Sequence, residues 1–164
     1  MGRKIENAVI KIALATGCTA FSGMILFISI NVISRYFFGR SFSWAEEISY
    51  LCFNWAVFMG ITVLYKNVNL ISVDVLVDRF PKKMQKIIAI FNYSLLTLIC
   101  GAMTVWGITH AIRGIPRKTM AIEISYFFYN MAIPVAMIIM LAFSIKFLVM
   151  ILKDDKIPEA ILDN

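Results

Sequence analysis

The chain has 164 residues, of which 60% are hydrophobic and 16% are charged, and its formal net charge is +6. A water-soluble domain carries about a quarter charged residues, so this chain lacks the polar side chains that would cover a globular surface. Its mean hydropathy of +0.80 also excludes a disordered chain, which would be poor in apolar residues. The composition therefore predicts an integral membrane protein.

Four stretches without Asp, Glu, Lys or Arg follow one another, at residues 12–34, 48–65, 87–112 and 124–145. As helices they would be about 27 to 39 Å long, enough to cross a hydrocarbon core of about 30 Å. Unpaired backbone groups are costly in lipid, and the runs are too long for the strands of a membrane barrel. Each stretch is therefore predicted to be a transmembrane helix.

The predicted fold class is an all-α integral membrane protein in which residues 1–164 form a single four-helix domain. Arg3 and Lys4 precede the first span, as basic residues precede the core of a signal peptide, but the apolar run is longer than a signal peptide's. We therefore expect the first helix to stay in the mature protein. With their flanking residues, the spans are expected at about 9–34, 44–65, 84–112 and 124–152.

The distribution of Lys and Arg predicts the orientation. Eleven of the sixteen lie in the two terminal segments and the loop between spans two and three, and five lie in the other two loops. The positive-inside rule then places both termini in the cytoplasm. The net positive charge indicates contact with anionic lipid headgroups rather than with nucleic acid. In the second outer loop, the basic pair Arg117 and Lys118 is interpreted as solvated charge or as a contact for an acidic partner.

The long loop between spans two and three contains one apolar helical face, at positions i, i+3, i+4 and i+7. Its residues are Val73, Leu76, Val77 and Phe80. Asp74 lies off this face. We predict a short amphipathic helix at about 72–80 that lies in the membrane interface. Both a simple connector and a partner-docking element stay open for this helix.

The first outer loop ends in residues 43–47, Ser-Trp-Ala-Glu-Glu, where the second span begins. Ser43 and Glu46 have the spacing of a capping box, and Glu46 and Glu47 place negative charge at the positive end of the helix dipole. Trp44 stands where an interfacial aromatic residue is expected. A second hypothesis adds an ion pair between Arg35 and one of the two glutamates that would join spans one and two.

The sequence contains no recognisable catalytic or cofactor motif. Its single histidine, His110, cannot supply a bis-histidine haem or a clustered zinc site, and the three cysteines fall in separate spans without a CxxC pair. No acid or base lies at mid-depth in the spans, where ion-coupled transporters usually carry one. We therefore predict a protein that is not an enzyme and binds no cofactor, with small residues and amides of the spans serving helix packing.

Four segments taken together resemble the DctQ-type small membrane subunit of tripartite ATP-independent periplasmic (TRAP) transporters: 31–38 (NVISRYFF), 44–47 (WAEE), 55–60 (WAVFMG) and 73–78 (VDVLVD). The four-span layout, with both termini inside, extends the resemblance over the whole chain. One position departs from the pattern, because the family often has a histidine four residues before the Asp of its loop motif and Leu70 stands there.

The resemblance implies a non-catalytic subunit of the bacterial inner membrane that holds a large, elevator-type membrane subunit. That subunit takes up an organic acid, such as a C4-dicarboxylate or a sialic acid, together with sodium, and a periplasmic binding protein delivers the acid. The expected partners are thus the large subunit, the binding protein and membrane lipids, with no nucleic acid. The alternative is a self-associating four-helix exporter or channel.

The residues expected to contact a partner or to maintain the subunit's structure lie in these motifs and in the predicted interfacial helix. The surface of the first outer loop is expected to meet the large subunit or the binding protein. The complete set is Asn31, Arg35, Tyr36, Arg40, Ser43, Trp44, Glu46, Glu47, Trp55, Val73, Asp74, Leu76, Val77 and Phe80.

Overall fold

The computed structural model describes residues 2–66 and 82–154, which form four long helices and one short helix. They are α1 (Gly2–Phe38), α2 (Ser43–Lys66), α3 (Lys82–Arg113), α4 (Tyr126–Asn130) and α5 (Ala132–Asp154). We call the end of the molecule that holds Gly2 and Asp154 the terminal end. The opposite end, where α1 is connected to α2 and α3 to α4, is called the loop end.

Four helical segments are long and apolar enough to cross a membrane. They are Glu6–Phe38, Ser43–Lys66, Met84–Arg113 and Tyr126–Lys153, the last of which includes both α4 and α5. Among the described residues, the predictions of an all-helical architecture and of four helices apolar enough to cross a membrane are thereby confirmed. The predicted interfacial helix at 72–80 lies outside the described residues, and the predicted orientation stays a prediction.

The helices pack side by side in the order α1, α2, α5, α3. Among the described residues, α1 packs mainly against α2 and α3 packs mainly against α5, while α2 and α5 meet in the middle. Since α1 and α3 make no extensive contact with each other, the helices form an open row rather than a closed bundle. In the most apolar stretch of each outer helix only 11% of the residues are buried, against 22% in α2 and 28% in α5.

The buried apolar core joins all four long helices. It consists of Ile10 of α1, Tyr65 of α2, Cys100 of α3, and Met140 and Phe143 of α5. The ring of Phe147 packs beside it, with its centroid 6.3 Å from that of Tyr65 and 6.4 Å from that of Phe143. The core therefore connects the outer helices to the central pair.

A group of hydroxyls lies between α3 and α5. The hydroxyl oxygens of Thr97 and Ser144 are 2.6 Å apart, and they lie 2.7 and 3.2 Å from the backbone carbonyl oxygen of Tyr93, so that one hydroxyl donates to the carbonyl and the other donates to the first hydroxyl. Ser144 is fully buried. A hydrogen bond between helices satisfies polar groups that lipid could not, so this pair adds specificity to the α3–α5 contact.

Small residues allow the helices to approach closely. A Cβ atom added at Gly17 of α1 would lie 3.4 Å from the Cβ of Met59 in α2, and one added at Gly107 of α3 would lie 3.2 Å from the Cδ of Pro134 in α5. Ala132 and Ala136 are completely buried. These contacts agree with the expectation that small residues in the spans serve packing.

Pro134 coincides with a break between α4 and α5. Proline has no backbone N–H, so the carbonyl of Asn130 has no donor four residues later. Helix α4 ends at Asn130, Met131 forms its C-cap, and α5 begins at Ala132. The helical hydrogen bonds resume where the Val135 N–H donates to the Met131 carbonyl at 3.2 Å. The fourth span is thus two helices rather than one continuous helix.

Polar side chains connect the helices at the terminal end. The ammonium of Lys146 in α5 lies 2.5 Å from a carboxylate oxygen of Glu6 in α1. The ammonium of Lys66 in α2 donates to the side-chain oxygen of Asn7 at 3.0 Å. The start of α1 is therefore fixed to both central helices.

Candidate functional site

The loop between α1 and α2 brings together most of the residues expected to form a partner surface. Helix α1 ends at Phe38, and Gly39 follows with a φ of 64°. This left-handed conformation is adopted easily by glycine and commonly ends helices. The Ser34 hydroxyl also donates to the carbonyl of Arg40 at 2.9 Å. The chain therefore reverses within a few residues and α2 returns along α1.

Asn31 of α1 bridges to the start of α2 with both ends of its amide. Its Oδ1 accepts the backbone N–H of Phe42 at 2.9 Å, and its Nδ2 donates to Oε1 of Glu46 at 2.9 Å. The first helical hydrogen bonds of α2 also point to Phe42, whose carbonyl accepts from the backbone N–H groups of Ala45 and Glu46. Asn31 thus satisfies the free backbone donor at the beginning of α2 from a neighbouring helix.

This arrangement differs from the two local interactions predicted for the loop. Within the described residues, Ser43 and Glu46 form no capping box, because Phe42 rather than Ser43 accepts the first helical hydrogen bonds of α2, and Oε1 of Glu46 accepts from the Asn31 amide. The hypothetical ion pair of Arg35 is likewise not formed in the described part of the chain. An amide therefore joins α1 to α2 where a charged pair was expected.

The side chain of Glu47 in α2 hydrogen-bonds the loop that connects α3 to α4. Its Oε1 accepts the backbone N–H of Ala121 at 2.8 Å, and its Oε2 accepts that of Ile122 at 2.9 Å. Hydrogen bonds to a charged acceptor are stronger than those between neutral groups. One carboxylate of α2 therefore orders the segment between α3 and α4, which also forms an isolated antiparallel bridge between Lys118 and Ser125.

Two aromatic side chains attach α4 to α2. The Tyr129 hydroxyl donates to the backbone carbonyl of Glu47 at 2.9 Å, and the Trp55 indole N–H donates to the backbone carbonyl of Phe128 at 3.1 Å. Tyr129 is buried and Trp55 is half-buried. The predicted residues Glu47 and Trp55 thus act inside the subunit, as part of its own structure.

The remaining predicted residues of this region face outwards. Arg35, Tyr36 and Arg40 are exposed, and Tyr36 keeps 84% of its surface. Aromatic side chains dominate the exposed surface around them, and we call this group the aromatic edge. It consists of Tyr36, Phe37, Phe38, Phe42 and Trp44.

The aromatic edge is ordered in part by its own ring contacts. The ring of Trp44 stacks on that of Phe42 at a centroid distance of 5.8 Å and meets Phe27 edge to face at 6.2 Å. Tyr36, Phe37 and Phe38 are between 73% and 84% exposed. A large exposed apolar patch is typical of a contact surface for lipid or for another protein.

Five predicted residues belong to the segment that the structure does not describe. They are Val73, Asp74, Leu76, Val77 and Phe80. Their proposed role in an interfacial helix stays a prediction.

The sequence analysis missed several residues that build the loop end. Ser125 caps α4 by accepting the Phe127 N–H at 3.2 Å, and its hydroxyl also lies 3.1 Å from the carbonyl oxygen of Ile115. Tyr129 and the backbone of 121–122 were likewise not singled out. A serine before an aromatic helical segment is a recognisable N-cap signal, but no sequence pattern indicates that residues 47 and 121 meet.

Among residues 2–66 and 82–154, no group of three or more His, Cys, Asp or Glu side chains is placed to hold a metal ion. The three cysteines of this part are free thiols in separate environments, exposed, half-buried and buried. The chemistry of the loop end is thus that of hydrogen-bonded carboxylates and exposed aromatic rings, which suits recognition of another surface.

Residues 24–154 match the model of the family described as the DctQ component of tripartite ATP-independent periplasmic transporters. Two proteins of Haemophilus influenzae, each named as a TRAP transporter small permease protein, are similar to the chain. One is 26% identical over 92 residues, covering 53% of this chain and 56% of the relative; the other is 33% identical over 84 residues, covering 51% and 52%. The chain thus matches little more than half the length of these relatives. Because the family model covers most of the sequence, the chain belongs to the DctQ family, the small membrane subunits of TRAP transporters.

Proposed function

We propose that this chain is the non-catalytic small subunit of a TRAP transporter in the bacterial inner membrane, where it forms a fixed frame for a large, elevator-type membrane subunit. In this proposal the complex takes up an organic acid, such as a C4-dicarboxylate or a sialic acid, with sodium. A periplasmic binding protein delivers the acid. The family itself is one of transporter permease components and is not an enzyme class.

The open row of helices is the observation that supports this role most strongly. A chain that leaves the apolar faces of α1 and α3 largely uncovered offers a broad, relatively flat surface to another membrane protein. The absence of acids and bases at mid-depth in the four spans favours a frame over a solute pathway, since coupled transport usually needs such groups.

The aromatic edge and the nearby Arg35 and Arg40 are our proposed contact with the large subunit or the binding protein. Aromatic and arginine side chains dominate the energetics of many protein interfaces. Here they surround a loop that internal hydrogen bonds already hold in place, so that little ordering is needed on binding. In this proposal Asn31 and Glu46 position that surface, Glu47 and Trp55 fix the adjoining segment 121–128, and the exposed Ser43 contributes to the contact.

A purification experiment tests the proposed assembly. A tagged copy of the chain, extracted from its native host in mild detergent, should recover a much larger polytopic membrane protein in stoichiometric amount. Recovery of this chain alone from several mild detergents would contradict the proposal.

Reconstitution into liposomes tests whether this chain transports solute without the other subunits. Liposomes that contain only this chain should accumulate no organic acid down a sodium gradient, whereas liposomes with both membrane subunits and the binding protein should. Solute flux through the chain alone would favour the alternative of a self-associating exporter or channel.

We propose that the segment 72–80 braces the complex at the cytoplasmic interface. Replacing Val73 and Val77 by Asp would place charge on its apolar face and should lower complex yield or uptake. Asp78→Asn, which changes the opposite face, is the matched control. Unchanged uptake of the double variant at normal expression would count against this role.

A further inference from the structure

A cleft of about 680 Å³ opens at the loop end between the end of α3 and the start of α4. Its lining consists of His110, Arg113, Gly114, Arg117, Tyr126 and Asn130. The floor is formed where α3 and α4 approach closely, since a Cβ atom at Gly114 would lie 3.1 Å from the side-chain nitrogen of Asn130 and from the backbone nitrogen of Phe127. The cleft is separate from the aromatic edge, which belongs to α1 and α2.

The cleft carries positive charge that the described part of the chain does not neutralise. Neither Arg113 nor Arg117 forms an ion pair with the acids of residues 2–66 and 82–154, and the side chains of His110 and Asn130 make no hydrogen bond there. Two guanidinium groups and a free carboxamide around one cavity present hydrogen-bond donors suited to a phosphate or carboxylate group.

The position of the cleft relative to the membrane helps to identify the anion that it binds. Arg113 is the last residue of one candidate membrane span, and Tyr126 is the first residue of the next. In a membrane that these two helices cross, their ends at the cleft would lie near the level where the hydrocarbon core gives way to the headgroup region. Tyrosine and arginine are both well suited to this level.

An apolar surface continues from the cleft toward the middle of the membrane. Trp106, His110 and Arg113 stand at i, i+4 and i+7 and so share one face of α3. Trp106 is 71% exposed, and Met103 and Ile99, which continue the same face, are 37% and 45% exposed. A phospholipid matches the basic cleft and the apolar face in the same order, because its anionic phosphodiester is followed by an acyl chain. An acidic protein loop would account for the arginines but not for the continuous apolar face.

We propose that the cleft binds the phosphodiester headgroup of a phospholipid from the leaflet at the loop end. Arg113 and Arg117 contact the phosphate, the Asn130 amide donates a hydrogen bond to it, and an acyl chain lies along the face of α3 that contains Trp106. The lipid would fill the cleft between α3 and α4 without taking part in solute transport.

Lipid retention measured by native mass spectrometry tests this site. The purified full-length chain, stripped of lipid in detergent, is titrated with phosphatidylglycerol. Arg113→Gln should lower the bound fraction at subsaturating lipid, with an affinity loss of about tenfold, as expected for one charged hydrogen-bonding partner. Lys118→Gln removes the same charge from the loop that follows α3, outside the cleft, and should change the affinity less than twofold.

Two further variants guard against a folding defect, and a brominated lipid tests whether an acyl chain lies beside Trp106. Arg117→Gln, which changes a loop residue, should also weaken binding, and Arg113→Lys should restore part of it. Brominated phosphatidylglycerol should quench tryptophan fluorescence in the parent chain, and Trp106→Phe should remove most of that lipid-dependent quenching.

Equal lipid binding by Arg113→Gln, Arg117→Gln and Lys118→Gln would overturn the proposal. Tight binding of inorganic phosphate or glycerol 3-phosphate that excludes phosphatidylglycerol would assign the cleft to a soluble anion instead and would overturn the lipid assignment.

Discussion

Asn31 shows how a single amide can take the place of two local interactions. Its oxygen accepts the N–H of Phe42 while its nitrogen donates to Glu46. A carboxamide has both functions and a carboxylate has only the acceptor. The geometry therefore depends on the chemical asymmetry of this side chain.

Replacing Asn31 by Asp should destabilise the subunit, because two carboxylates would then face each other where Nδ2 now donates to Oε1 of Glu46. We expect a loss of about 1–3 kcal/mol, measured as a lower unfolding temperature in detergent. Adding Glu46→Gln should restore most of the stability, since the new amide at position 46 can donate to the new carboxylate at position 31, in the reverse direction. Equal stability of Asn31→Asp and the double variant would contradict the bridge.

Glu47 uses both carboxylate oxygens on two consecutive backbone donors. Glu47→Gln keeps the size of the side chain but turns an NH₂ group toward one of those N–H groups. We expect a loss of about 2 kcal/mol and faster amide hydrogen exchange at residues 121 and 122. Glu123→Gln is the matched control, because it removes the same charge from an exposed residue of the same loop. Similar exchange rates in the two variants would count against the role of Glu47.

At the scale of elements, the α3–α5 pair makes a close approach at a glycine. Gly107 lies against Pro134 and Ile133, and a Cβ atom there would lie 3.2 and 3.3 Å from their side chains. Both neighbours are near the start of α5, where the proline ring is rigid. The contact therefore has little freedom to adjust.

Gly107→Ala should push α3 away from α5 and lower the stability of the chain by about 1–3 kcal/mol, a typical cost of overpacking. Gly101→Ala is an internal control in the same helix, since nothing lies within 4 Å of the added Cβ, and it should be neutral or slightly stabilising. Thermal unfolding of the two purified variants measures the difference, and equal unfolding temperatures would show that the approach at Gly107 is not limiting.

The four membrane spans could be predicted from the sequence because hydropathy depends on local composition. Charge-free runs indicate four spans without knowledge of their neighbours. The pairing of helices is different: Glu47 with residues 121–122, or Trp55 with Phe128, joins positions more than seventy residues apart. Such contacts depend on the order of helices in the row, which composition does not encode.

The loop end illustrates the same limit at the candidate site. The spacing of Ser43 and Glu46 matches a local cap, and a nearby cation such as Arg35 is a plausible partner for an acid. In the folded chain, Asn31 rather than Arg35 contacts Glu46 at the beginning of α2, because the tight turn at Gly39 brings the two helices side by side. The residue types were recognised from their motif, whereas their partners were not.

For the whole molecule, the open row leaves two outer helices with apolar faces. If the aromatic edge at the end of α1 is the contact with the large subunit, then Tyr36→Ser combined with Phe37→Ser should reduce co-purification of that subunit by about tenfold or more. The unfolding temperature of the isolated chain should change little, since both side chains are at least 80% exposed.

Ile87→Ser combined with Phe91→Ser provides the control for that experiment. These residues are 66% and 70% exposed on the other outer helix, α3, so the substitutions remove comparable apolar surface. Recovery of the large subunit should fall less than with the Tyr36 and Phe37 pair, because these residues lie outside the aromatic edge. An equal loss with both pairs would mean that the aromatic edge is not a selective contact.

The ion pair between Glu6 and Lys146 has a consequence for biosynthesis. Its two residues are 140 positions apart, so the carboxylate near the N-terminus meets its cation only after the last helix has left the ribosome. Until then the first helix is held by its neighbour α2 alone. A nascent chain that stops before the fourth span would thus lack the contact that ties its first helix to its last.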